Sequence, residues 1–183
     1  MKNKLILGVI AVVIVISGII FLQQLDTGKK VVAGTFSTDI AGLSEAKASE
    51  IVELKNGESY DLTASIVKKT IGNSEVKMLA YNGMIPGPLI KVEQGAEVTL
   101  NFTNNTDVDT TIHSHGVRLE NKFDGVPDVT QKEVKPGESF TYKVKFPDEG
   151  MYWYHPHIRE DYAQELGLYG NYLVVPNDPS YWS

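Results

Sequence analysis

The chain has 183 residues, of which 42% are hydrophobic and 22% are charged, the balance of an ordinary soluble globular domain. Its net charge of −6 argues against a nucleic-acid partner and disfavours an anionic membrane surface. The absence of cysteine excludes disulfide bonds and thiolate metal ligands within this sequence.

The first 25 residues predict a signal peptide or a membrane anchor. Lys2 and Lys4 precede an uncharged, mainly apolar run at 5–22, whose length suits a membrane span better than the core of a cleaved signal. No clear small-residue cleavage site follows. We therefore expect an exported protein, with an anchor helix at 5–22 slightly favoured and the rest of the chain facing outward. Release into the periplasm or the extracellular space after signal cleavage is the alternative.

The segment 26–58 is largely polar and aperiodic, which predicts a linker and a strand lead-in. From residue 59 onward, short alternating runs are separated by turn residues, as at Asn82-Gly83 and Pro136-Gly137. Only 160–166 has helical character. The pattern predicts an all-β sandwich or barrel domain at 59–183. Its expected strands are 60–67, 75–81, 88–92, 97–102, 139–146 and 172–175.

All four histidines of the chain lie in two H-x-H pairs, His113 with His115 and His155 with His157. Residues i and i+2 of an extended strand point to one face, so each pair can offer two imidazoles to one metal cluster. Neutral imidazole is a ligand for copper, zinc or iron. Because the two pairs use every histidine of the chain, a metal site is favoured over isolated polar histidines at the surface or in the core.

Charged and aromatic residues lie on either side of the second histidine pair, and the sequence allows two roles for the charged ones. Arg159, Glu160 and Asp161 either hydrogen-bond the metal-binding imidazoles or form a solvated charge cluster. The aromatic run 152–154 alternates with the core and is expected to contribute packing.

Four motifs in chain order resemble those of the first domain of multicopper oxidases. YNGMIPGP at 81–88 is similar to that domain's opening motif, and GLYG at 167–170 to its closing strand. HSHG at 113–116 and YHPH at 154–157 resemble its two copper motifs. The resemblance covers about residues 59–176 and implies a Greek-key cupredoxin β-sandwich.

By motif position, the resemblance implies that His113 binds the type 2 copper and that His115, His155 and His157 bind the type 3 coppers. The middle residue of the first motif is often Trp in this family and is Ser114 here, which leaves the ligands intact. The family's carboxylate that assists proton delivery corresponds to Asp124. The other interpretation of Asp124 is an Asp-Gly turn that caps its own backbone.

The resemblance also implies an incomplete enzyme. Multicopper oxidases collect electrons from a phenolic or metal-ion reductant at a type 1 copper, held by two His and one Cys, and reduce O₂ to water at a trinuclear cluster with twice as many histidines as this chain contains. We therefore expect a fragment that is inactive alone and whose partner is a further cupredoxin domain, in cis or in trans. The ending at 174–179 resembles the linker to the family's next domain.

Two alternatives remain open at this point. His113, His115 and Glu120 imitate the ligand set of a mononuclear cupin-like barrel, although that fold leaves the second H-x-H pair unexplained. A standalone, non-catalytic copper-binding domain is the other.

Overall fold

Nine strands form two sheets in the part of the chain that this computed structural model describes, residues 36–178 and residue 180. The predicted signal peptide or anchor at 1–25 lies outside the described residues. Within them, no helix has the length and apolarity needed to cross a membrane. The strands are β1 (Ile51–Glu53), β2 (Ser59–Ile71), β3 (Ser74–Tyr81), β4 (Leu89–Glu93), β5 (Glu97–Asn105), β6 (His113–His115), β7 (Ser139–Lys145), β8 (Gly150–His155) and β9 (Gly170–Val175), and a 3₁₀ turn covers Asn121–Phe123.

Both sheets mix parallel and antiparallel pairs. The five-stranded sheet has the order β1-β4-β9-β8-β6, and the four-stranded sheet has the order β3-β2-β5-β7. Strands β1, β4 and β9 run parallel to one another, whereas β8 is antiparallel to both β9 and β6. The expected all-β fold is therefore confirmed.

Alternation of side chains along the strands builds the core between the sheets. In β5, Val98, Leu100 and Phe102 are buried while the intervening residues are polar. In β9, Tyr172 and Val174 are buried in the same way from the opposite sheet. Such a period of two puts one side of each strand in the core and the other outside.

The predicted linker and lead-in at 26–58 contains residues that are hydrogen-bonded to the sandwich. Ala46 N–H donates to the Lys68 carbonyl at 2.8 Å, and Lys47 N–H donates to the Gly83 carbonyl at 2.7 Å. Strand β1 follows and pairs with β4. From about residue 44, this part of the chain is thus tied to the fold at closely spaced points.

The helix expected at 160–166 is wrong, because this segment is a series of tight turns. Its hydrogen bonds span three, four and five residues, as in Gly167 to Gln164, Ala163 to Arg159 and Leu168 to Ala163. A regular α-helix needs a repeated four-residue spacing. The Leu166 carbonyl accepts the N–H of Leu79 in β3 at 2.8 Å, which ties the end of these turns to the four-stranded sheet.

Candidate metal centre

Strands β6 and β8 bring the two histidine motifs side by side. In their antiparallel register, His113 lies opposite His155 and His115 lies opposite Trp153. Paired residues share a face of the sheet, so these four rings project from the outer face. Strand β8 ends at His155, and Pro156, which cannot donate to a ladder, turns the chain out of the sheet.

The four imidazoles form one cluster. One ligand nitrogen from each of His113, His155 and His157 lies within 4.8 Å of those of the other two. The ring centres of His113 and His157 are 4.6 Å apart. His115 completes the group, with its Nδ1 3.4 Å from Nε2 of His155.

Oxygen acceptors fix the orientation of three of the rings. Nδ1 of His113 donates to the Asp124 carbonyl at 2.6 Å, and Nδ1 of His155 donates to the Pro156 carbonyl at 2.9 Å. Nδ1 of His157 lies 2.9 Å from a carboxylate oxygen of Glu160. A proton held at Nδ1 leaves Nε2 with a free lone pair, the form of imidazole that binds a metal.

Burial keeps His155 neutral. Its side chain is covered by neighbouring rings on the outer face of the sheet, and this desolvation is the main reason that its pKa is lowered from 6.5 to about 4. The carbonyl of Pro156 opposes the shift, whereas the neighbouring imidazoles add to it. His155 is therefore deprotonated at neutral pH and available as a ligand. His115, in contrast, is exposed.

Asp124 contacts the cluster through its backbone as well as its side chain. Besides the carbonyl bond to His113, its carboxylate oxygen lies 3.3 Å from the same Nδ1. The following Gly125 has φ +74°, and a Cβ there would overlap the Ile112 carbonyl. Glycine is therefore required for the loop to pass this close to β6.

Comparison with known proteins identifies the family. The multicopper oxidase family model matches residues 63–179, well over half of the chain. The chain belongs to the multicopper oxidase family.

Individual relatives match the chain over part of their length. Copper resistance protein A of Pseudomonas syringae pv. tomato is 32% identical over 134 residues, which cover 73% of this chain and 22% of that protein. The multicopper oxidase MmcO of Mycobacterium tuberculosis is 36% identical over 144 residues, covering 76% of this chain and 27% of the relative. The crystal structure of blue copper oxidase from Nitrosomonas europaea superposes with a TM-score of 0.65 at 36% identity, over 68% of this chain and 40% of that one. This multicopper oxidase chain thus spans about a quarter of the length of these curated relatives, and its sandwich is a cupredoxin domain.

The donor set of this multicopper oxidase domain fits copper. It offers imidazole nitrogens, which copper accepts readily, and no thiolate. The cupin-like alternative is not supported, because Glu120 pairs with Lys122 at 2.7 Å and is 67% exposed. The second H-x-H pair, rather than a carboxylate, completes the group around His113.

Structure also separates the roles of the charged residues after the second pair. Glu160 contacts the imidazole of His157, which agrees with the interpretation that these residues hydrogen-bond the histidine rings. Arg159 and Asp161 pair with each other through two bonds of 2.8 and 2.9 Å, which agrees with the interpretation of a solvated charge cluster.

Trp153 belongs to the site, which the sequence interpretation missed by assigning the aromatic run to packing. Its ring stacks on that of His155, with centroids 3.8 Å apart and planes 16° apart. It also lies 5.1 Å from the ring of His115. Its position two residues before His155 on one strand was the available signal, because residues i and i+2 share a face. Tyr154, between them, is buried in the core as expected.

Proposed function

We propose that this cupredoxin domain supplies four imidazoles to the trinuclear copper centre of an oxidase that reduces O₂ to water. His113 is the type 2 ligand, and His115, His155 and His157 are the type 3 ligands. The observation that carries the proposal is the cluster itself. Adjacent antiparallel strands and the turn that follows β8 hold every histidine of the chain together, with three ligand nitrogens within 4.8 Å of one another.

The chain's own residues prepare the centre before any metal binds. Acceptors at Nδ1 of His113, His155 and His157 leave Nε2 as the nitrogen of each ring that faces the cluster as a metal donor. Because these rings are already oriented, ordering them on metal binding costs little further entropy. Bound copper would supply electrons to O₂, a reaction that also consumes four protons per O₂. Asp124 is the proposed proton carrier, since its carboxylate lies beside the His113 ring.

Electrons must reach this centre from elsewhere. A type 1 copper needs a Cys, and the sequence contains none. We therefore assign that site and the remaining trinuclear ligands to a further cupredoxin domain, in cis or in trans. The reductant is a phenol or a metal ion. The proposed location is outside the cytoplasm, by export through the segment at 1–25, with membrane anchoring at 5–22.

Trp153 provides a direct test of copper binding. The chain has two tryptophans, so Trp182→Phe leaves Trp153 as the only one. We expect Cu²⁺ to quench its fluorescence, because its ring stacks on His155. His113→Ala and His157→Ala should each weaken the titration at least about tenfold. Unchanged quenching in both variants would show that these histidines do not bind the copper.

Metal stoichiometry tests the half-site. By equilibrium dialysis, the chain alone should hold about one copper weakly and show no intense blue absorption, because it lacks the thiolate. Adding the domain that supplies the missing ligands should raise the bound copper towards three ions per assembled centre. Three tightly bound coppers in the isolated monomer, or a blue band from this polypeptide alone, would contradict the proposal. One tightly bound copper that no second domain increases would favour the non-catalytic copper-binding domain instead.

A further inference from the structure

A buried lysine joins three separate segments of the fold. The side chain of Lys77 in β3 is 7% exposed, and its Nζ lies 2.5 Å from a carboxylate oxygen of Asp107. The Tyr162 hydroxyl donates to the same carboxylate, with both oxygens 3.1 Å away. Burial lowers the pKa of Lys77, but hydrogen bonds and charge interactions with Asp107 and Tyr162 outweigh burial and raise it above its ordinary value. We call Lys77, Asp107 and Tyr162 the lysine triad.

The lysine triad connects the two segments that carry the histidines. Asp107 lies in the loop that leads from β5 to β6, six residues before His113. Tyr162 lies in the turns that follow the second histidine pair, five residues after His157. The third member belongs to the four-stranded sheet. Closer to the metal centre, the His157 N–H donates to the Thr111 hydroxyl oxygen at 3.3 Å, so the same two segments are also joined beside the rings.

His157 depends on such support more than its neighbours do. His113 and His155 lie in paired strands that fix their backbone, whereas His157 lies beyond the end of β8. The turn after it includes Arg159 at φ +45°, a left-handed conformation that a non-glycine residue keeps where surrounding contacts hold it. The Tyr162 N–H closes this turn by donating to the Arg159 carbonyl at 2.8 Å, and the Tyr162 hydroxyl anchors the turn to the buried triad.

We infer that the lysine triad is a positioning device for the metal centre. By anchoring Tyr162, it holds the turn that carries His157 and Glu160, whose carboxylate lies 2.9 Å from Nδ1 of His157. A ring that is held in place beforehand binds a metal more tightly, because it loses less freedom on binding. The inference rests on the proposed function, since the position of His157 matters to copper if this residue is a ligand. The triad acts through the turn, so its members are positioning residues.

Tyr162→Phe tests the triad, because it removes the hydroxyl and keeps the ring. Tyr60→Phe is the matched control. Tyr60 is also partly buried, and its hydroxyl accepts the Asn82 side chain at 2.9 Å, between β2 and the turn after β3. Both variants are made in the full chain that carries Trp182→Phe, and copper binding is followed by quenching of Trp153 fluorescence. Titration well below each thermal midpoint keeps every variant folded, which separates a loss of affinity from a loss of fold.

Tyr162→Phe should weaken copper binding at least about fivefold, somewhat less than the tenfold to hundredfold typical of a group that touches a ligand directly. It should also shift the EPR hyperfine splitting of the bound Cu²⁺, because the donor geometry changes. Tyr60→Phe should change the affinity less than about twofold and leave the EPR spectrum unchanged. In the metal-free chain, amide exchange at residues 162 and 163 should become at least about tenfold faster in Tyr162→Phe, because the turn opens locally, while exchange in β6 and β8 stays unchanged.

Lys77→Met reaches the same turn from the other sheet. It replaces the cation with an apolar side chain, and the Asp107 side chain, 28% exposed, keeps access to water. Copper binding should weaken by a factor similar to that in Tyr162→Phe. Combining the two substitutions should weaken it by less than a further factor of about two, because the triad acts as a unit. Fully additive losses would mean two independent effects and would overturn the inference.

His157→Ala separates this inference from the proposed function. If His157→Ala lowers copper affinity but Tyr162→Phe leaves both the affinity and the EPR spectrum unchanged, the triad stabilises the fold alone, the inference is wrong and the metal centre stands. Equal losses of affinity in Tyr162→Phe and Tyr60→Phe would also overturn it. If His157→Ala leaves copper binding unchanged, the proposed function fails first and the inference fails with it, even where exchange shows a looser turn.

Discussion

Replacing Gly125 with Ala should disrupt the metal centre through the backbone. Gly125 has φ +74°, and its added Cβ would overlap the Ile112 carbonyl and crowd the His113 nitrogen. An L-residue in this left-handed region costs about 1–2 kcal/mol, and displacing β6 costs more. We expect a total loss of about 3–5 kcal/mol in the free energy of unfolding, a thermal midpoint lower by about 10 °C, and copper affinity lower by at least about tenfold.

Gly137→Ala is the matched control. Gly137 has φ +85°, but no atom lies within 4 Å of the position of its Cβ. Gly137→Ala should therefore lower the free energy of unfolding only by the conformational penalty, which is about 1 kcal/mol after the gain from a less flexible unfolded chain. Calorimetry and the Trp153 fluorescence titration measure the two effects in the full chain. Equal losses of stability and of copper affinity in the two variants would refute the argument from close approach.

Three further substitutions test other contacts. Tyr172→Phe should lower the free energy of unfolding by about 1–3 kcal/mol, because it removes the hydrogen-bond partner of the buried Ser114 hydroxyl at 3.0 Å. Adding Ser114→Ala should restore part of that loss, as measured by thermal denaturation. If the double variant shows no recovery, the hydroxyl pair does not stabilise the fold. Tyr142→Phe should cost a similar amount, because its hydroxyl accepts the buried N–H of Ile112 at 3.0 Å, and an unchanged midpoint would contradict this. Asp124→Asn keeps the carbonyl bond to His113 but removes the acid. In an oxidase completed with the missing cupredoxin domain, this variant should retain its copper while its O₂ consumption falls by about 10²-fold or more, and full activity would exclude the proton-carrier role.

The grouping of the histidines was predictable because it depends on a simple geometric rule. Extended H-x-H pairs put both imidazoles on one face, whichever partner strand they acquire. The alternation that defined β5 and β7 was equally readable, since both have one buried and one polar side. Strand β6 is only three residues long, too short to give a periodic signal of its own.

Long-range contacts were not predictable from local pattern. Nothing in the sequence near residue 124 indicates that its backbone carbonyl, rather than its carboxylate alone, holds the His113 ring. The turns at 160–166 likewise end in a backbone bond from Leu79, far away along the chain. The segment beginning near residue 44 looked like a tether because its ordering comes from backbone bonds to β2 and to Gly83 and Ile85 after β3, which leave no pattern of side chains.

The register of β6 against β8 links the core to the histidine cluster. Between the histidines, Ser114 points inward to Tyr172, and its register partner Tyr154 is fully buried. A shift of β6 by one residue would turn Ser114 outward and press His113 or His115 into an apolar core without partners. Burial of the middle residue therefore selects the register in which the imidazoles face outward. A small hydroxyl at position 114 fits this place because Tyr172 satisfies its hydrogen bond, so packing inside the sandwich fixes the positions of the imidazoles on its surface.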